Sequence, residues 1–234
     1  MVGTIINPSD STQTASLMHN LHLLHLCSPA LPIGAYAYSQ GLEYAIDSGW
    51  LKTPDAIADW LLGLMENTLA YTDLPILRRL YLAFAACDCA GANEWNNYLR
   101  ACRESRELLL EDEQLGGALA RLLKGLGVQV LELTAPPTYA SQFAQAGVFW
   151  GIPLNSLCQG FLWAWLENQV AAATKLVPLG QSQGQQILVS LMPHVPAVCA
   201  AAAVRQDAEL GRGLPGLAMA SSLHESQYSR LFRS

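Results

Sequence analysis

The sequence predicts an all-α protein, a single-domain bundle of about ten helices, on three observations. Apolar residues recur at three- and four-residue spacing along almost the whole chain, as they do on one face of a helix. No stretch alternates apolar and polar residues as a half-buried strand would, and no Asn-Gly pair offers a hairpin turn. Proline and glycine punctuate the periodic runs. With 234 residues, 51% hydrophobic and 14% charged, the chain can bury one large core and is too apolar to remain unfolded.

The elements follow in order. A first helix is expected over about Ser16 to Cys27, with Leu17, Leu21 and Leu24 as its apolar stripe; the residues before it, about 1–15, are expected to be flexible. It stops at SPALPIGAY, where Pro29 and Pro32 remove backbone donors. A second helix begins near Tyr38. A third has Thr53 as N-cap, Pro54 at its first position, and Ile57, Trp60, Leu61 and Leu64 on one face. Asp73 and Pro75 open a fourth, and Asn93 is expected to cap a fifth that runs to Leu110 or beyond, with Gly91 and Gly116-Gly117 as punctuation. Beyond Pro136-Pro137, helices are expected at about 138–149, 154–176, 183–192 and 196–210, then a final segment after GRGLPG. No polar run precedes the proline pair, so a single domain is the simpler reading.

Composition narrows the function. A formal net charge of −6 without a Lys/Arg cluster argues against nucleic acid. The opening MVGTIINPSDSTQT lacks a basic segment followed by a long apolar core, so a cytoplasmic protein is expected. Six cysteines contain no CxxC pair and read as reduced, buried thiols. From Leu133 to Val204 the only charged residues are Glu167 and Lys175, where a frequency of 14% predicts about ten. Proline and glycine interrupt this stretch, and no run of about 20 purely apolar residues crosses it, so no membrane span is expected. It reads as buried core together with a surface that another protein covers.

Of the motifs for catalysis, GxxxxGK[ST] and HExxH do not occur. His19, His22 and His25 have a metal-like spacing, but three-residue steps drift by about 60 degrees around a helix, so they are weak metal candidates and better read as a half-exposed polar face. Cys87 and Cys89 read as small buried thiols at a helix end. RESRELLLEDEQ, Arg103 to Gln114, mixes signs at helical spacing and reads as a solvated face, with an electrostatic docking face as the alternative. KLVPLGQSQGQQIL, Lys175 to Leu188, is a helix end, a turn and a helix start; its amides either satisfy local backbone groups or form a polar contact patch. The chain closes on HESQYSRLFRS, whose arginine and aromatic side chains are favoured interface anchors.

SPALPIGAYAYSQGLEYAIDSGW (Ser28 to Trp50), KLVPLGQSQGQQIL and HESQYSRLFRS, with RESREL and WLENQVAAATKLVPLGQ, together resemble the signature segments of the F-type urease accessory proteins from about Leu21 to Ser234. The resemblance implies an all-helical, non-catalytic chaperone that pairs as a homodimer. It also implies binding to the D-type (or H-type) accessory protein and recruitment of the G-type GTPase that delivers nickel to apo-urease. No cofactor is then held stably, and nickel is handled by the complex. By the same resemblance the partner-binding tail is about 221–234, with His224, Glu225, Gln227, Tyr228, Arg230, Leu231, Phe232 and Arg233; Gly180, Gln181, Tyr36, Tyr38, Gln40 and Glu43 fall on assembly surfaces. The histidines of the first helix and the cysteine pair lie outside the pattern.

Two alternatives stay open. One is a regulator of the GTPase in which Arg230 or Arg233 acts as an arginine finger; the other is an unrelated helical metal- or ligand-binding protein using the histidines. The terminal SRLFRS is expected to be mobile in the isolated chain and to order on binding.

Overall fold

The computed structural model describes residues 8–177 and 180–234, with side chains described from Ser16 onward except at Gln181. Among these residues there are eleven α-helices and no strand: α1 (Pro8–Leu26), α2 (Leu42–Asp47), α3 (Pro54–Leu64), α4 (Asp73–Ala85), α5 (Cys89–Ala101), α6 (Arg106–Gly125), α7 (Tyr139–Phe149), α8 (Leu154–Leu176), α9 (Gln181–Leu191), α10 (His194–Ala203) and α11 (Pro215–His224). Short 3₁₀ turns at Ala35–Ala37 and Asp207–Glu209, and a π turn at Met65–Leu69, join them.

Side-chain caps fix several of the boundaries. Thr53 accepts the Ala56 N–H at 3.2 Å, Asp88 the Gly91 N–H at 3.0 Å, Ser105 the Leu108 N–H at 3.1 Å and Thr138 the Ser141 N–H at 3.2 Å. Each occupies a donor that the first helical turn leaves open, at about 1 kcal/mol apiece. The expected fifth helix is corrected by two of these caps. α5 starts at Cys89 under Asp88, not at Asn93, whose amide instead donates back to the Cys89 carbonyl at 2.8 Å. Ser105 then takes extended geometry and opens α6 as a separate helix.

α8 forms the axis of the bundle, with α1, α2, α4, α7, α9 and α10 against it. α4 buries Leu74, Ile76, Leu77 and Leu80 and packs most extensively on α7 and α5. Between α7 and α8 the Phe143 ring meets Tyr139 and Phe161 with centroids 5.6 and 5.2 Å apart, in edge-on geometry. α7 is buried without a break from Ala140 to Gly147, which accounts for part of the charge-poor half. Val189, Met192 and Val204, in the same stretch, are exposed and uncharged. No single helix among the described residues is long and apolar enough to cross a membrane; α9 and α10 together satisfy length and composition only, and are bent by 42°.

Four further expectations are corrected. Gly116 and Gly117 do not break a helix but lie inside α6. A Cβ on Gly116 would stand 2.0 Å from the Pro137 carbonyl oxygen, so the glycine is there for close approach of the segment that leads into α7. The stripe Leu17, Leu21 and Leu24 points outward, 58–68% exposed, while Leu23 and Leu26 face inward. Gly160 on α8 admits this packing: a Cβ there would lie 2.6 Å from Leu23 Cδ1 and 2.7 Å from Cys27 Sγ. The helix expected to 210 stops at Ala203, and α1 starts at Pro8, earlier than its apolar pattern. Of the segment expected to be flexible, residues 1–7 lie outside the described residues.

Candidate functional site

Glycine places the first part of the site. Gly41, at φ 76°, has no side chain where one would stand 2.7 Å from the Ser221 backbone nitrogen, so the start of α2 lies directly on α11. Ser105 and Ser221 share a hydroxyl hydrogen bond of 2.5 Å, which ties α11 to the start of α6. These contacts bring Glu43 of α2, Glu107 of α6 and His224, the last residue of α11, together.

His224 is fully buried, with Nδ1 2.7 Å from Glu107 Oε2 and Nε2 3.0 Å from Glu43 Oε2. The same two carboxylates hold the chain that follows. Glu43 accepts the Leu231 N–H at 2.6 Å and the Phe232 N–H at 2.9 Å, and Glu107 accepts from Arg230 Nη1 at 2.6 Å. One turn further along α6, buried Glu111 accepts from Ser234 Oγ at 2.6 Å and from Gln40 Nε2 at 2.8 Å, while Gln40 Oε1 accepts from Trp165 Nε1 at 2.8 Å. Ser39 closes the set: its N–H and Oγ donate to the Ser234 oxygen at 2.9 and 2.6 Å, and the Arg233 N–H donates to the Ala37 carbonyl at 2.9 Å. Hydrogen bonds to carboxylates are about twice as strong as neutral ones, so residues 230–234 are anchored from within. Burial pushes the Glu111 carboxyl up to about 7, against the pull of its Ser234 and Gln40 donors and of Arg103.

Beneath this network Arg103 lies between Asp73, at 2.7 Å, and Asp112, at 2.9 Å. Burial works against its charge, but Asp112 and Asp73 outweigh that and hold the guanidinium well above its usual pKa. The other Asp112 oxygen accepts the Tyr139 N–H at 2.7 Å, linking α6 to the first turn of α7. RESRELLLEDEQ is therefore solvated only in part: Glu104, Arg106, Leu110 and Gln114 are exposed, and the other side of the helix is not. Glu111 and Asp112 are buried where the tail and the loop into α7 cover them, and Arg103 pairs with Asp73 and Asp112.

The residues assigned to partner binding divide into two sets. Tyr36, Glu225, Tyr228, Arg230, Leu231 and Arg233 are exposed, with Tyr36 at 68% and Leu231 at 63%. Tyr38, Glu43, His224 and Phe232 are buried, and Gln40 and Gln227 half-buried; these are internal supports. Tyr38 donates its hydroxyl to Gln114, and its carbonyl accepts from Asn168 at 3.2 Å. Lys175 lies over the Tyr36 and Phe232 rings, 5.8 and 5.6 Å from their centroids. Gly180 is exposed; its N–H donates to Gln183 Oε1 at 3.2 Å, the local satisfaction of a helix end. Gln181 opens α9, and its side chain lies outside the described residues. SRLFRS, expected to be mobile in the isolated chain, is seated here against the bundle: Phe232 and Ser234 are 5% and 0% exposed, held by the carboxylates above.

Sequence reasoning gave no separate role to Ser39, Glu111 and Ser234, and read Glu107 only as part of a mixed-charge face. The signal for the carboxylates was the four-residue spacing of Glu107 and Glu111 on one face of α6; Ser39 lies in the loop before α2 and carried none. The first-helix histidines line up along Trp150 instead of converging on an ion. His22 stacks on its ring at 4.8 Å and 3°, His25 meets it edge-on at 6.2 Å, and His19 reaches toward Gly151. Cys87 and Cys89 are exposed at the turn between α4 and α5, contrary to the expectation of burial; Cys158 and Cys199 are buried. A cavity of about 180 Å³ is lined by Asp73, Arg103, Glu111 and Asp112 beside Leu69 and Phe161. Among the described residues no three His, Cys, Asp or Glu side chains are placed to hold a metal ion.

A helical protein that fastens its own terminus with internal carboxylates, and leaves tyrosine, leucine and arginine facing outward, is of the class that acts by contact. The sequence profile of the UreF family matches residues 51–192. The urease accessory protein UreF of Teredinibacter turnerae is 59% identical over 216 residues, covering 92% of this chain and 98% of that protein. Those of Alkalilimnicola ehrlichii and Psychrobacter cryohalolentis are 48% and 43% identical, over 96% and 98% of this chain and 100% and 99% of theirs. The chain belongs to the UreF family of urease accessory proteins, a family of accessory factors and not of enzymes.

Proposed function

We propose that the protein is a scaffold for urease maturation. It docks the D/H-type accessory protein on the face formed by Tyr36, Tyr228 and Leu231, recruits the G-type GTPase through that complex, and so supports GTP-dependent nickel insertion into apo-urease. It works in the cytoplasm as a homodimer, away from membrane and nucleic acid, and holds no cofactor of its own. The observation that carries the reading is the convergence of three family-like segments, 36–43, 103–108 and 224–234, on one side of the bundle, with aromatic and aliphatic side chains left outward. The pairing of Arg230 with Glu107 at 2.6 Å supports docking over an arginine finger, since that guanidinium is already engaged within the chain.

The test is to co-express the protein with the D/H-type and G-type partners and apo-urease. Tyr228→Ala combined with Leu231→Ala is expected to leave the fold intact, to lose the D/H-type partner on purification, and to leave urease short of nickel. Full recovery of the complex by the double variant contradicts the assignment. Light scattering of the purified chain checks the dimer.

A further inference from the structure

Glu43 fell among the residues assigned to partner surfaces, but it is 5% exposed and cannot meet a partner directly. Its carboxylate is instead the hub of the tail. One oxygen takes the Leu231 N–H at 2.6 Å; the other takes the Phe232 N–H at 2.9 Å and faces His224 Nε2 at 3.0 Å. Two consecutive backbone donors on one carboxylate fix the direction of the chain. Phe232 then points inward at 5% exposure and Leu231 outward at 63%.

The carboxylate is itself fixed. Ser39 Oγ accepts the Glu43 N–H at 3.3 Å and donates to the Ser234 oxygen at 2.6 Å, so one short loop holds both the hub and the end of the tail. Beyond it, Arg233 N–H on the Ala37 carbonyl at 2.9 Å ties the tail to the loop that carries Tyr36. The two halves of the exposed face, Tyr36 on one segment and Tyr228 and Leu231 on the other, thus share a single internal clamp.

We infer that Glu43 is a positioning residue for partner binding: it sets the fraction of molecules whose tail is docked and able to bind. The inference rests on the tail being the partner surface, as proposed above. A partner that binds only the docked form sees an apparent Kd equal to its intrinsic Kd divided by that fraction. Glu43→Gln removes the charge and one acceptor oxygen, so one of the two backbone donors is left poorly satisfied and the strap opens. Exposed tail residues act differently, by changing the intrinsic Kd and not the docked fraction.

Two readouts separate these effects, the affinity of the intact chain for the purified D/H-type partner and the rate of tryptic cleavage after Arg230 and Arg233. Glu43→Gln is expected to raise the apparent Kd at least tenfold and to speed cleavage by a similar factor. Leu231→Ala is expected to raise Kd without changing cleavage. Unchanged cleavage and Kd in Glu43→Gln, with Leu231→Ala still weakened, overturns the positioning role alone. If Leu231→Ala and Tyr228→Ala both bind normally, the tail surface itself is overturned. Should Glu43→Gln fail to fold, Ser39→Ala decides the matter, since it frees the Ser234 end of the same clamp; faster cleavage with weaker binding supports the inference, and no change in either contradicts it.

Discussion

At the scale of single residues, Glu111 and Gln169 show opposite ways of burying a polar group. The Glu111 carboxyl, pushed by burial up to about 7 from an ordinary value of 4.5, resists ionisation in the folded chain. Its contribution to stability is therefore complete below about pH 4.5 and is lost as the pH rises through about 7. Glu111→Gln, whose amide can still meet Ser234 Oγ, is expected to melt higher than the parent above pH 7, by an amount worth on the order of 2 kcal/mol, and to match or fall below it near pH 4.5. Thermal melting of both proteins across that range checks the sign. Gln169, 1% exposed on α8, meets no hydrogen-bond partner for either amide atom among the described residues. Replacing a buried polar group that lacks a partner with an apolar one relieves about 1–3 kcal/mol, so Gln169→Leu is expected to raise the denaturant midpoint without changing its slope.

At the scale of elements, most helices were legible because their signals are local. Thr53 and Pro54, Asp73, and the breaks around Pro136 and Pro153 act within a few residues of themselves, and α3, α4, α7 and α8 fall where the sequence places them. The failures share a physical cause. Gly116 reads as a stop in sequence but is a packing residue in α6, because the chain pressing on it, Pro137, lies outside its helix. The inward side of α1 depends on Gly160, far along the chain, and not on its own leucine stripe. Neighbouring glycines test this directly. Gly116→Ala, with a Cβ 2.0 Å from the Pro137 oxygen, is expected to destabilise by more than about 2 kcal/mol. Gly117→Ala meets nothing nearer than Arg121 Nη1 at 3.5 Å and is expected to be neutral or to stabilise by up to about 1 kcal/mol. Chemical denaturation of the pair distinguishes a packing role from a helix-breaking one.

At the scale of the whole molecule, the tail is where sequence and structure diverge most usefully. The family-like segments could be read along the chain, but not that His224 bridges Glu43 and Glu107, because those contacts span 181 and 117 positions. A run such as RESRELLLEDEQ looks solvated until the segment that covers it is in place, and a terminal phenylalanine looks free until a pocket is found for it. Removing residues 225–234 is accordingly expected to do more than delete a contact surface. It exposes Phe232's site, takes the Leu231 and Phe232 donors from Glu43 and the Ser234 donor from Glu111, and should cost at least about 3 kcal/mol of stability, seen as a lower melting temperature. Loss of partner binding on truncation would then report the fold as much as the interface, which is why exposed single substitutions are the sharper probes of function.

The central claim is that the C-terminal segment is docked before any partner arrives, with its inner face held by carboxylates and its outer face ready for contact. Hydrogen exchange at the Leu231 and Phe232 amides of the isolated protein tests it most directly, since both donate to Glu43. Protection of at least a hundredfold over the unstructured chain is predicted in the free protein, with a further increase in the complex confined to the Tyr228–Leu231 face. Exchange of both amides at the unstructured rate in the free protein would contradict the claim and return the tail to a segment that orders only on binding.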